Sequence, residues 1–211
     1  VEAGLDADRS TGTLKVRTEV GFADEPEPGW TVDAWVESLG GERLVAEGEG
    51  DLGGPVPSQI GPYTFTGHVV RTSGRFPGIA PWSAEAPNLS RLVVSLRDPS
   101  GVVREVVTQR IGFRSVEVRD RQLLLNGRAT YLRGVNRHDH DPRTGKAVTL
   151  DGMRADLVTM KRFGFNAVRC SHYPNDHRFL DLCDELGMWV VDEANIESHA
   201  LNLSLCHDPR Y

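Results

Sequence analysis

NAVRCSHYPNDHRFLDLCDELGMWVVDEAN, Asn166 to Asn195, decides how the second half of this chain folds. NAVRCSH is a short apolar run with a polar end, as a buried strand would be. NDHRFLDLCDELG places Phe179, Leu182, Cys183 and Leu186 at three- and four-residue steps, the stripe of an amphipathic helix, and ends on Gly187. MWVVDEAN is a second apolar run with a polar end. Upstream the same alternation appears once more. TYLRGVNRH (Thr130–His138) reads as a strand. TLDGMRADLVTMKRFG (Thr149–Gly164) reads as a helix with Met153, Leu157, Met160 and Phe163 on one face. Thr149 or Asp151 can cap its start and Gly164 suits its end. Strand, helix, strand, helix, strand is the pattern of parallel β/α units.

An open doubly wound sheet and a (β/α)8 barrel both accept that pattern. No G-x-G-x-x-G follows a strand, so a dinucleotide site has no support. All three strands end in polar or ionisable residues: Asn136, Arg137, His138, Asp139 and His140 after the first; Arg169, Cys170, Ser171 and His172 after the second; Asp192, Glu193, Asn195, Glu197 and His199 after the third. In a barrel, chemistry collects at those C-terminal ends. A barrel takes about 250 residues, so the residues from Leu123 onward hold roughly the first three of its eight units.

Residues 1 to 118 carry a different period. TLKVRTEVGF, WTVDAWVES, YTFTGHVV, RLVVSL and VVREVVTQRIGF alternate apolar and polar residues, and DEPEPG, DLGGPVPS and DPSG read as the turns between them. RLVVSLRDPSGVVREVV reads as a hairpin. Strands at this spacing predict an immunoglobulin-like β-sandwich over 1–118; the β/α units at 119–211, if they belong to a (β/α)8 barrel, a TIM barrel, are its N-terminal part. His68 stands alone in a strand and reads as structural or exposed.

Composition excludes several classes. The chain has 211 residues, 39% of them hydrophobic, and a formal net charge of -6. That supports a packed core, and the acidic balance argues against nucleic acid or an anionic membrane as partner. No apolar run approaches a membrane span, and VEAGLDADRS has neither the basic nor the apolar part of a signal peptide. Cys170, Cys183 and Cys206 form no C-x-x-C and no even-numbered framework, which suits a reducing cytoplasm.

The polar clusters admit more than one chemistry. Glu197 and His199 can aim a carboxylate and an imidazole at one centre, a magnesium, manganese or zinc ion, with a further ligand from elsewhere; the alternative is a helix cap or a polar loop. His138 and His140 form an H-x-H that a metal or plain solvent can occupy. His138 and His172 can instead hydrogen-bond a neutral polar substrate such as a sugar. Arg169, in an apolar run, calls for a carboxylate partner, Asp192 or Glu193.

LLLNGRATYLRGVNRHDHDP, NAVRCSHYPND and LCDELGMWVVDEANIESHA together closely resemble the bacterial β-galactosidases of glycoside hydrolase family 2. WSAEAPNLSRLVVSL and IGFRSVEV resemble the end of that family's immunoglobulin-like domain. DEANIESH sets the chain apart from β-glucuronidases. Asp139, Ser90 and Ser198 depart from residues common in the family. The resemblance implies hydrolysis of terminal β-D-galactosides such as lactose with retention, by a pair of carboxyl groups. It places neither the acid/base nor the nucleophile glutamate here, so the chain alone is expected to be inactive. It implies that Glu197 and His199 are two Mg²⁺ ligands whose third partner lies outside this sequence. It implies that His138 and His172 stabilise the transition state through galactose hydroxyls. It further implies a Na⁺ site and homo-oligomerisation for a full-length cytoplasmic enzyme. A rival reading is a non-catalytic assembly module complementing a second chain.

Overall fold

A computed structural model of the chain describes residues 1–47, 52–58, 67–197, 199 and 204–210. The expected strand residues 63–66, Ser198 and the side chain of Cys206 lie outside the described residues. The chain divides into two compact units, Val1–Thr130 and Tyr131–Tyr211.

The first unit is built on two antiparallel sheets. Its strands are β1 (Glu2–Leu5), β2 (Gly12–Val20), β3 (Thr31–Ser38), β4 (Leu52–Pro55), β5 (His68–Phe76), β6 (Ser90–Arg97) and β7 (Val103–Ile111). The sheet orders are β1-β2-β5 and β4-β3-β6-β7. Period-two alternation puts Leu14 and Val16 of β2 against Ala34 and Val36 of β3, with Phe76, Leu92, Ile111 and Phe113 filling the space between. DLGGPVPS, expected as a turn, contains β4: Leu52–Pro55 pairs with Thr31–Ala34. Its glycines hid it, yet Gly53 is required, because a Cβ there would stand 2.5 Å from the Val32 carbonyl oxygen. His68 is structural, a buried side chain whose Nδ1 lies 2.6 Å from the Pro57 carbonyl oxygen.

The β6–β7 hairpin turns on Asp98. Its Oδ1 accepts from the Ser100 and Val102 amides at 2.9 and 3.0 Å, and Oδ2 accepts from Arg104 Nε at 2.7 Å. The Ser100 hydroxyl is the largest of the causes that lower its pKa from 3.8 to about 2. A carboxylate depressed by folding adds stability above its unfolded pKa and loses it as pH falls through the folded value. Asp98→Asn is therefore expected to lower the unfolding midpoint at pH 7 and to flatten the acid dependence between pH 3.8 and about 2. Urea titrations at both ends of that window check this.

A three-stranded meander closes the first unit: β8 (Val116–Arg119), β9 (Gln122–Leu125) and β10 (Arg128–Ala129). Its two-residue turns are Asp120-Arg121 and Asn126-Gly127, all four residues at positive φ, the geometry that lets tight hairpins follow strand twist.

The second unit alternates β11 (Gly134–Arg137), α1 (Leu150–Arg162), β12 (Ala167–Cys170), α2 (His177–Leu186) and β13 (Trp189–Val191), with a short α3 (Ser204–His207) beyond. The strands form one parallel sheet in the order β11-β12-β13. Thr149 caps α1, its Oγ1 accepting from the Gly152 amide at 3.1 Å, and Asp176 caps α2 in the same way through the Arg178 amide at 2.9 Å. Met153 and Leu157 of α1 and Phe179, Leu182 and Cys183 of α2 close over Val168 and Cys170. Among the described residues no helix is long and apolar enough to cross a membrane. Leu157 is fully buried, so Leu157→Ala is expected to cost about 2–5 kcal/mol, read as a shift of the second unit's denaturation midpoint.

Candidate active site

β11, β12 and β13 run parallel, so their C-terminal ends fall on one edge. His138 follows β11, Ser171 and His172 follow β12, and Asp192 and Glu193 follow β13. The Ser171–His172 peptide is cis.

At this edge His172 is the meeting point. Its Nδ1 lies 3.2 Å from Glu193 Oε2 and 3.9 Å from Glu197 Oε2. Arg169 forms an ion pair with Glu193 through Oε1 and reaches Asn136 Oδ1 at 3.4 Å. Of the two carboxylates expected for Arg169, Glu193 is the partner. Arg169 is not buried as its apolar run suggested: 42% of its side chain is exposed, because it points along the edge rather than into the core. His138 packs edge-on against His172, ring centroids 5.5 Å apart, and beside Tyr173 at 6.2 Å. The two histidines expected to touch a sugar are thus neighbours.

Glu197 lies between two imidazoles. Its Oε1 is 3.8 Å from His199 Nδ1, and its Oε2 faces His172. His199 is almost fully exposed. The pair at 3.8 Å fits two ligands of one divalent cation with water completing the shell. His140 is exposed, and among the described residues neither it nor His138 belongs to a group of metal-holding geometry.

The buried arginine is Arg137. It donates to Asp139, to Asp156 Oδ2 at 3.0 Å and to Asn175 Oδ1 at 2.8 Å, with its guanidinium 4.1 Å from the Phe179 ring centroid. Asp139 also accepts from the Asp176 amide at 3.1 Å, tying the end of β11 to the start of α2. Sequence reading missed this node. The signal was the pairing of a basic and an acidic residue two apart, Arg137 at the end of β11 and Asp139 just beyond it. Cys170 and Cys183 are buried free thiols. Burial first, then the nearby Asp192 carboxylate, pushes Cys170 up to about 11, and burial raises Cys183 further, so neither is a nucleophile. Arg137→Met leaves Asp139 without its cation and is expected to cost about 3 kcal/mol or more, measurable by equilibrium unfolding.

Two family models cover nearly the whole chain. Residues 1–114 match "Glycosyl hydrolases family 2", and residues 116–210 match "Glycosyl hydrolases family 2, TIM barrel domain". The chain belongs to glycosyl hydrolase family 2. It is 39% identical over 199 residues to a β-galactosidase of Pectobacterium atrosepticum, covering 93% of this chain and 18% of the relative. It is 52% identical over 120 residues to a β-galactosidase of Photobacterium profundum, covering 57% of this chain and 12% of the relative. The chain therefore spans less than a fifth of the length of these curated relatives. Among solved structures it resembles a β-glucuronidase of Parabacteroides merdae, with TM-score 0.73, 26% identity, and 92% of this chain and 22% of that one covered. A β-glycosidase of Bacteroides vulgatus shares the fold, with TM-score 0.76, 23% identity, and 92% and 23% coverage. The two family models bear out a β-rich domain followed by a TIM-barrel domain.

Proposed function

We propose that this chain carries the immunoglobulin-like sandwich and the first three β/α units of the barrel of a retaining β-galactosidase that cleaves terminal β-D-galactosides such as lactose. The observation that carries the reading is the convergence of His138, His172 and Glu197 on one edge of the parallel sheet, in a chain 39–52% identical to proteins named β-galactosidase.

In this reading His138 and His172 are the catalytic contacts this chain supplies. Each imidazole donates to or accepts from a galactose hydroxyl, and the bond strengthens as charge develops on the ring. Glu193 holds His172 and Arg169 in place. Glu197 and His199 hold Mg²⁺ together with a third protein ligand on a later strand, and the ion supplies fixed positive charge beside the acid/base carboxyl when bound. Two carboxyl groups about 5–5.5 Å apart, as retention requires, belong to later strands, and a Na⁺ site to the longer protein, a cytoplasmic homo-oligomer. A glucuronide would bring a carboxylate needing a cation. Arg137 is buried in its own network and Arg169 is held by Glu193, so neither is the cation a glucuronide would use.

The test compares aryl β-D-galactoside with aryl β-D-glucuronide on the intact protein that contains this chain. Turnover of the galactoside with retained configuration is expected, and His172→Ala is expected to lower kcat/KM by about 10²-fold. Preference for the glucuronide would sink the reading. The 211-residue chain by itself is expected to show no turnover; activity abolished by Glu197→Gln would place the catalytic carboxyl here instead.

A further inference from the structure

We propose that Tyr173, clamped by Lys146, is the positioning residue for His138, an inference that rests on the galactosidase reading above. His138 lies just past β11 with its side chain exposed. Among the described residues neither of its ring nitrogens makes a hydrogen bond, and its ring is held by two ring contacts. His172 lies edge-on at 5.5 Å and Tyr173 tilted at 6.2 Å, centroid to centroid. An imidazole that keeps its nitrogens for a substrate has to be placed by packing on its ring, because a nitrogen bonded to protein is lost to the sugar.

The two ring contacts differ in kind. His172 is itself a sugar contact in that reading. Tyr173 is held by groups outside it. The Lys146 ammonium stands over its ring, 4.6 Å from the centroid, inside the roughly 6 Å at which a ring face attracts a cation. Its backbone carbonyl accepts from Asn175 Nδ2 at 3.3 Å, and Asn175 in turn accepts from the buried Arg137 at 2.8 Å. The Tyr173 hydroxyl is 3.5 Å from the carbonyl oxygen of Asp139, the residue after His138. That is the outer limit of a hydrogen bond, so the ring carries the restraint and the hydroxyl adds little. Lys146 belongs to the connection between β11 and α1, which carries His138, and Tyr173 to the connection between β12 and α2, which carries His172. The clamp therefore ties together the two segments that present the two histidines.

On the intact protein that contains this chain, Tyr173→Ala is expected to lower kcat for an aryl β-D-galactoside about tenfold with KM little changed, because a misplaced contact that tightens only in the transition state costs kcat. Tyr173→Phe, which keeps the ring, is expected to recover most of that loss. In a His138→Ala background Tyr173→Ala is expected to cost nothing further. The second measurement needs no turnover. In the 211-residue chain with isotope-labelled histidine, the His138 ring resonance is expected to move toward that of a free histidine in Tyr173→Ala, by less in Lys146→Gln, and to stay in place in Tyr173→Phe. A circular dichroism melt confirms that each variant folds, and Lys146, exposed on its loop, gives a readout that does not depend on the tyrosine. The same loss of kcat with and without His138, or a His138 resonance unmoved by Tyr173→Ala and Lys146→Gln, overturns the proposal. Absence of galactoside turnover by the unsubstituted protein sinks the galactosidase reading instead, and the resonance then decides whether Tyr173 places the ring.

Discussion

Parallel strands joined by helices must all end at the same edge of their sheet. That constraint is what the second unit depends on. β11, β12 and β13 each contribute only three or four residues to the ladder, yet each delivers its next residues to one line. His138, His172 and Glu193 are far apart in sequence and adjacent in space for that reason alone. Gly134 keeps the approach of β11 to β12 close, since a Cβ there would stand 2.5 Å from the Ala167 carbonyl oxygen.

Below that edge the structure spends a buried cation to hold its geometry. Arg137 is almost fully enclosed, and its side chain answers Asp139, Asp156 and Asn175 at once while lying over Phe179. An isolated charge would not survive there; a multiply bonded guanidinium does. Asp139 passes the restraint on to the first turn of α2. The segment Ser171–Asp176, which carries His172 and Tyr173, is thereby anchored at both ends. Arg169 plays a different part above it, half exposed and bound to Glu193, and sets the direction of the carboxylate that faces His172.

Among its described residues the first unit has no comparable chemistry, and it shows how plainly antiparallel sheets write themselves into sequence. Alternation places Leu14, Val16, Val32, Ala34 and Val36 inward without exception, and Asp98 supplies hairpin chemistry that the residues DPSG announce. The weak points were short. β4 was hidden by glycines that sit in it because another backbone passes too close for a Cβ, and the β8–β10 meander rests on two-residue turns, one of them Asp-Arg, which carries no glycine to mark it.

Local information was enough for most of the longer elements and for much of the candidate site. Period two gave the sandwich strands, period 3.6 gave α1 and α2, caps and glycines gave their ends, and polar strand ends marked His138, His172, Glu197 and His199. These are properties of neighbours along the chain, set by backbone geometry and by which side chains must leave water. Only tertiary structure decided the pairings: Glu193 rather than Asp192 for Arg169, Arg137 rather than Arg169 as the buried cation, and Glu197 placed between His172 and His199. Those choices depend on strand register and on which charges share a low-dielectric pocket, quantities fixed by contacts across tens of residues and invisible to any local pattern.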